Sequence, residues 1–124
     1  MPTILVVEDD PLGRYLVCEV LRREGYQVEE ARDGAEALDV VRTKRIDLVI
    51  TDLVMPKLNG FKFVDQLRLI EPRMPIIFTT GYLSAITGKT LLQDIAEVLT
   101  KPIEFDALRS TVQRLLTRSA TPRA

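Results

Sequence analysis

The 124-residue chain contains no histidine. That absence excludes Ser/His and Cys/His nucleophile pairs, imidazole metal ligands and a phosphohistidine of its own. Any chemistry must run on carboxylates, hydroxyls, lysines and a hard metal ion. Cysteine is nearly absent too. Cys18 stands alone, so no internal disulfide can form, which suits a reducing compartment and sets the expectation of a cytoplasmic location. Its place in an amphipathic stretch reads as a small core or boundary residue, the alternative being a reactive thiol. No apolar run is long enough to span a bilayer and no signal-peptide pattern opens the chain, so membrane insertion is not expected. An excess of either charge is also missing. The balance of 17 Lys and Arg against 18 Asp and Glu leaves a net charge of -1, which argues against general affinity for nucleic acid or an anionic surface. Finally, no glycine-rich phosphate loop follows the first apolar run, which counts against a nucleotide-binding α/β module.

What is present is an ordinary globular composition, 46% hydrophobic and 28% charged, enough for one domain with its own core. Thr3 to Val7 is a β-branched apolar run of the kind buried on both faces of a sheet. Pro11 then suits the first turn of a helix carrying Leu12, Leu16, Val20 and Leu21 at helical spacing, which Gly25 stops. Gln27 to Ala31 predicts a second strand, and Asp33 with Glu36 a capping box for the helix behind it. The run from Asp47 predicts a third strand ending at Asp52, followed by a loop containing Pro56 and a helix from Gly60 to Leu69. Met74 to Thr79 predicts a fourth strand and Glu97 to Thr100 a fifth. Between them, Tyr82 to Ile95 is a poor helix former, although Leu91, Leu92 and Ile95 could bury one face. Phe105, Leu108, Val112, Leu115 and Leu116 define a last helix, and the tail after it is expected to fray. Strand and helix alternate five times, which argues for one doubly wound parallel sheet covered on both faces, an α/β layer sandwich.

Ligands of such sheets bind beyond the carboxyl ends of the strands. There the first strand ends in Glu8 and Asp9, the third in Asp52, the fourth in Thr80 and the fifth in Lys101. Three carboxylates, a hydroxyl and an ammonium should therefore meet on one rim. Crowded carboxylates require a shared proton or a cation, and an all-oxygen donor set points to Mg²⁺ (or Mn²⁺). Asp52 then reads as a nucleophile that accepts a phosphoryl group, with Lys101 and Thr80 contacting the transferred oxygens. Blander readings stay open: Asp52 as a turn cap, and Lys101 as its structural salt-bridge partner.

The series Ile4-Leu5-Val6-Val7-Glu8-Asp9-Asp10, Asp52 with Met55-Pro56 and Gly60, Thr79-Thr80-Gly81, and Lys101-Pro102 resembles the receiver domain of two-component response regulators. The likeness covers Thr3 to about Leu116. It implies a flavodoxin-like five-stranded sheet of order 2-1-3-4-5 with five helices, a receiver over residues 3–118 and a disordered tail over 119–124. It further implies phosphorylation of Asp52 by a histidine kinase or histidine phosphotransfer protein. Mg²⁺ would be held by Glu8, Asp9, Asp52 and the carbonyl of Val54. Thr80 would be the switch hydroxyl and Lys101 the phosphoryl-binding lysine, before a cis peptide at Pro102. Such a domain is a signalling element that catalyses only its own phosphorylation and dephosphorylation. It would switch an unknown downstream effector, with a phosphorylation-dependent homodimer as one form of output, and act alone or within a longer regulator.

The chain departs from the family pattern in three places. Glu8 stands where Asp is commoner. Val98 replaces an aromatic whose swing follows the threonine, so output is expected to bypass that coupling. The segment after Thr80 is short and weakly helical, and is expected to order or reposition on phosphorylation. Val54 and Tyr82 flank the phosphoryl position and predict slow self-dephosphorylation. The competing class is an Asp-nucleophile phosphatase or phosphotransferase of small substrates. It wants a second Asp where Val54 stands, and a cap domain that this chain lacks.

Overall fold

A computed structural model describes residues 1–52, 60–80 and 96–120. Five strands, β1 (Thr3–Val7), β2 (Gln27–Ala31), β3 (Leu48–Asp52), β4 (Ile76–Thr80) and β5 (Ala96–Thr100), form one sheet of order β2-β1-β3-β4-β5. Every adjacent pair is parallel. Among the described residues four helices cover it: α1 (Pro11–Arg23), α2 (Gly34–Thr43), α3 (Gly60–Ile70) and α4 (Phe105–Ala120). The expected helical segment between Tyr82 and Ile95 lies outside the described residues.

Strand alternation divides the core into two layers. Leu5, Val7, Val49, Ile76 and Phe78 pack with α2 and α3 through Leu38, Val41, Phe63 and Leu67. Ile4, Val6, Leu48, Ile50 and Ile77 pack with α1 and α4 through Cys18, Leu21, Leu108 and Leu115. Because β1, β3 and β4 are apolar on both faces, they must be central and need a helix layer on each side. β2, with exposed Gln27 and Glu30, takes an edge.

Local signals set the helix ends. Asp10 caps α1, its carboxylate accepting from the Gly13 N–H at 3.1 Å, with Pro11 in the first turn. At the other end Gly25 adopts φ +93°, and the Tyr26 and Gly25 N–H groups bond back to the carbonyls of Leu21 and Arg22 at 3.2 and 3.0 Å. This double closure needs the left-handed conformation that glycine adopts without steric cost. Asp33 caps α2 by accepting from the Glu36 N–H at 2.9 Å. The return half of the expected box is displaced by one residue, since Glu36 accepts from the N–H of Arg32 at 3.0 Å.

Several element ends move by a residue or two, and two of the shifts have a visible cause. β4 begins at Ile76, not Met74, because Pro75 has no N–H for the ladder and Met74 closes the turn after α3 onto Glu71. α4 continues to Ala120, so the first two residues of the expected disordered tail are helical. A last turn needs no apolar face to persist. Residues 121–124 lie outside the described residues.

Candidate functional site

Strand register brings the polar residues together. Val7 is level with Thr51, so the next residues, Glu8 and Asp52, leave their strands side by side. Asp52 is level with Thr79, and Thr80 with Thr100, so Thr80 and Lys101 stand a step further along the same rim. The Lys101 N–H donates to the Thr80 carbonyl at 2.8 Å, which holds the chain as it turns into the cis Lys101–Pro102 peptide.

The Lys101 side chain crosses the end of β4 to reach both acids. Its ammonium donates to Asp52 Oδ2 at 2.7 Å and to Glu8 Oε1 at 3.1 Å. Asp52, Glu8 and Thr80 are buried, whereas Asp9 is exposed. Glu8, Asp9 and Asp52 each offer an oxygen within 4.8 Å of the others. Burial pushes the Glu8 carboxyl up to about 7 and the Asp52 charge adds to this, against the opposing pull of Lys101. Burial alone would lower the Lys101 pKa, but its hydrogen bonds to Asp52 and Glu8 outweigh that and raise it. One ammonium thus serves two buried carboxylates. The donor set is all oxygen and carries more negative charge than Lys101 neutralises, so it fits a hard divalent cation.

The structure gathers Glu8, Asp9, Asp52, Thr80 and Lys101 as the sequence led us to expect. Val54, Met55, Pro56, Gly81 and Tyr82 lie outside the described residues. Two residues of the neighbourhood were not singled out from the sequence. Asp10 caps a helix, although it follows two acids of the cluster. Arg14 donates to the Glu8 carbonyl at 2.7 Å and to Glu30 Oε1 at 3.1 Å. Asp10 carried a signal in the Pro11 that follows it, but Arg14 looked like any solvated helical arginine. Beside the acids, Glu8, Gly13, Leu16, Val17, Ile103 and Phe105 help to line a cavity of about 360 Å³. Leu12, Tyr15, Leu16 and Phe105 are exposed.

A five-stranded parallel sheet of this order with buried acids and a lysine at its carboxyl rim defines a receiver. Residues 4–113 match the family described as the response regulator receiver domain, and the chain belongs to that family, a signalling module of two-component phosphorelay systems. Among curated proteins it is 36% identical over 118 residues to the transcriptional regulatory protein GlrR of Escherichia coli, and 34% identical over 110 residues to the sensor histidine kinase RcsC of Salmonella typhi. These alignments cover 94% and 88% of this chain but only 27% and 12% of the relatives. Among solved structures it resembles the response regulator protein TrrA of Thermotoga maritima, in complex with Mg²⁺-BeF. That match has 34% identity and a TM-score of 0.84, and covers 93% of this chain and 99% of that one. No helix among the described residues is long and apolar enough to cross a membrane.

Proposed function

We propose that Asp52 accepts a phosphoryl group from a histidine kinase or histidine phosphotransfer protein, and that the added charge switches binding to a downstream effector. The carrying observation is the Lys101 ammonium shared between buried Asp52 and Glu8. A carboxylate hydrogen-bonded to an ammonium at the carboxyl rim of the sheet stands where a phosphoryl donor can approach and where a cation can receive the transferred oxygens. One Asp52 oxygen forms a bond to phosphorus as the P–N bond of the donor breaks. The donor imidazole nitrogen keeps that electron pair and takes a proton. Lys101 then moves its contact from the carboxylate to a phosphoryl oxygen, and the Thr80 hydroxyl donates to another. Glu8, Asp9, Asp52 and the Val54 carbonyl are the residues that would hold Mg²⁺ (or Mn²⁺), which when bound neutralises the phosphoryl oxygens for in-line transfer. The apolar surface around Leu12, Tyr15, Leu16 and Phe105 adjoins Glu8 and Lys101 and offers a protein donor an area to dock.

Val98 is half-buried on β5, level with the fully buried Phe78 and packed in the α2/α3 layer. Its single stiff torsion supports an output that does not run through a swinging ring. Repositioning of residues 82–95 and slow loss of the phosphoryl group belong to the same reading. Intact mass after incubation with Mg²⁺ and a small acyl phosphate tests it. Wild type should gain one phosphoryl group and Asp52→Asn none; a wild type that gains nothing would sink the proposal.

A further inference from the structure

Past Val7 the first strand has ended, yet the Glu8 peptide is held on both sides. Its N–H donates to the Ala31 carbonyl at 3.0 Å. Its carbonyl, in the peptide that joins Glu8 to Asp9, accepts from Arg14 Nη1 at 2.7 Å. Arg14 is itself oriented from β2: its Nε donates to Glu30 Oε1 at 3.1 Å, while Arg22 Nη2 holds the other Glu30 oxygen at 3.2 Å. The Arg14 side chain is only 16% exposed while Glu30 is 41% exposed, so the guanidinium is enclosed at the Glu8 end and anchored at the surface. Holding that peptide in one orientation fixes ψ of Glu8 and φ of Asp9, the two torsions that set how the side chains of the two residues are turned relative to each other. Here those residues are two of the three acids whose oxygens meet within 4.8 Å.

We propose that Arg14 is a positioning residue: it locks the Glu8–Asp9 peptide so that both carboxylates face one divalent cation, and Glu30 aims the guanidinium. The inference rests on the reading of Glu8, Asp9 and Asp52 as a cation site. Arginine suits the task because its planar fork serves two acceptors in different directions, which a lysine ammonium does less well. Simple electrostatics gives the opposite sign. A nearby positive charge repels a metal ion, so its removal should tighten binding; Glu30, shared with Arg22, offsets that charge only in part, so weaker binding without Arg14 would run against the charge effect and report geometry.

The test is a Mg²⁺ titration of the full chain, followed by the backbone amide resonances of Asp9 and Asp10. Wild type would be compared with Arg14→Met, Arg14→Lys and Glu30→Gln, with the urea midpoint of each measured without metal. Outer partners of metal ligands typically carry 10–100-fold in affinity. Arg14→Met should therefore weaken Mg²⁺ binding about tenfold, Arg14→Lys should recover part of the loss, and Glu30→Gln should fall between wild type and Arg14→Met. Equal or tighter binding by Arg14→Met overturns the inference, however far its stability drops. If Arg14→Met does not fold, unchanged affinity in both other variants overturns it. A wild type that is phosphorylated while Arg14→Met binds Mg²⁺ normally sinks this inference alone. A wild type that binds no Mg²⁺ removes the cation site and this inference together.

Discussion

Two aspartates bracket β3, and the chain treats them differently. Asp47, just before the strand, accepts from the Thr3 N–H at 2.8 Å, and its own N–H donates to the Thr3 carbonyl at 2.8 Å. It fastens the start of β3 to the start of β1. Its cationic neighbour is Arg45, 3.7 Å away on a side chain that is 91% exposed, a pair worth next to nothing. Asp52, five residues on, is buried at the opposite end of the same strand and faces the ammonium of Lys101. The same side chain is a structural latch where a neutral backbone donor satisfies it. It becomes a reactive candidate where it shares a partly buried cation with a second acid. In a parallel sheet the difference follows from strand direction, because only the carboxyl rim collects residues that follow every strand.

The sharpest way to break this contrast is to neutralise each acid in turn. Asp52→Asn should abolish phosphorylation by an acyl phosphate, read as intact mass, and Asp47→Asn should leave it at the wild-type level. Loss of phosphorylation in both variants would mean that the rim is not special. A second large effect separates burial from burial with a counter-ion. Cys18 is fully buried, and that burial pushes its thiol from 9.0 up to about 11; the Glu30 charge adds to this against Arg22 and Arg14. A raised acid favours its protonated form in the fold, so this contribution to stability is present below about 9 and lost as pH rises through 9 to about 11. At pH 8 an alkylating reagent should label native Cys18 at least about a hundredfold more slowly than the urea-unfolded chain. Comparable rates would show that the α1 layer opens locally.

The contrast also marks how far the sequence could be read. β1 and the end of β3 were legible because apolar runs stop abruptly at acids, and Glu8, Asp9, Asp52, Thr80 and Lys101 followed from strand ends alone. Arg14 was not legible. Its acceptor on β2 lies 16 residues away, and nothing in helical periodicity separates a clamped arginine from a solvated one. Nor could spacing show that Glu36 would bond to Arg32 rather than to Asp33, since that depends on the angle at which β2 hands over to α2. The extent of α4 escaped because its final turn is polar, and polar helix and polar tail look alike in sequence.

A smaller effect isolates the counter-ion at the rim. Lys101→Met leaves the Glu8 and Asp52 carboxylates facing each other without their shared donor. With the lysine side chain 35% exposed, solvent relieves part of the cost, so the metal-free protein should lose about 1–2 kcal/mol in urea unfolding. The loss should shrink in Mg²⁺, whose charge replaces that of the ammonium between the acids. A loss that is the same with and without Mg²⁺ would place the cation elsewhere.

The smallest effect lies at the amino end of β3, where the contrast predicts sensitivity to hydrogen bonding and indifference to charge. Asp47→Ala removes the acceptor for the Thr3 N–H and should cost about 1 kcal/mol. Asp47→Asn keeps a carbonyl oxygen in the same place and discards only the exposed pairing with Arg45, so its unfolding free energy should change by no more than about 0.5 kcal/mol. At Asp52 the order of importance is reversed, because there asparagine preserves shape and hydrogen bonding while removing the nucleophile. If Asp47→Asn proved as damaging as Asp47→Ala, charge would matter at both ends of the strand, and the distinction between latch and acceptor would rest on burial alone.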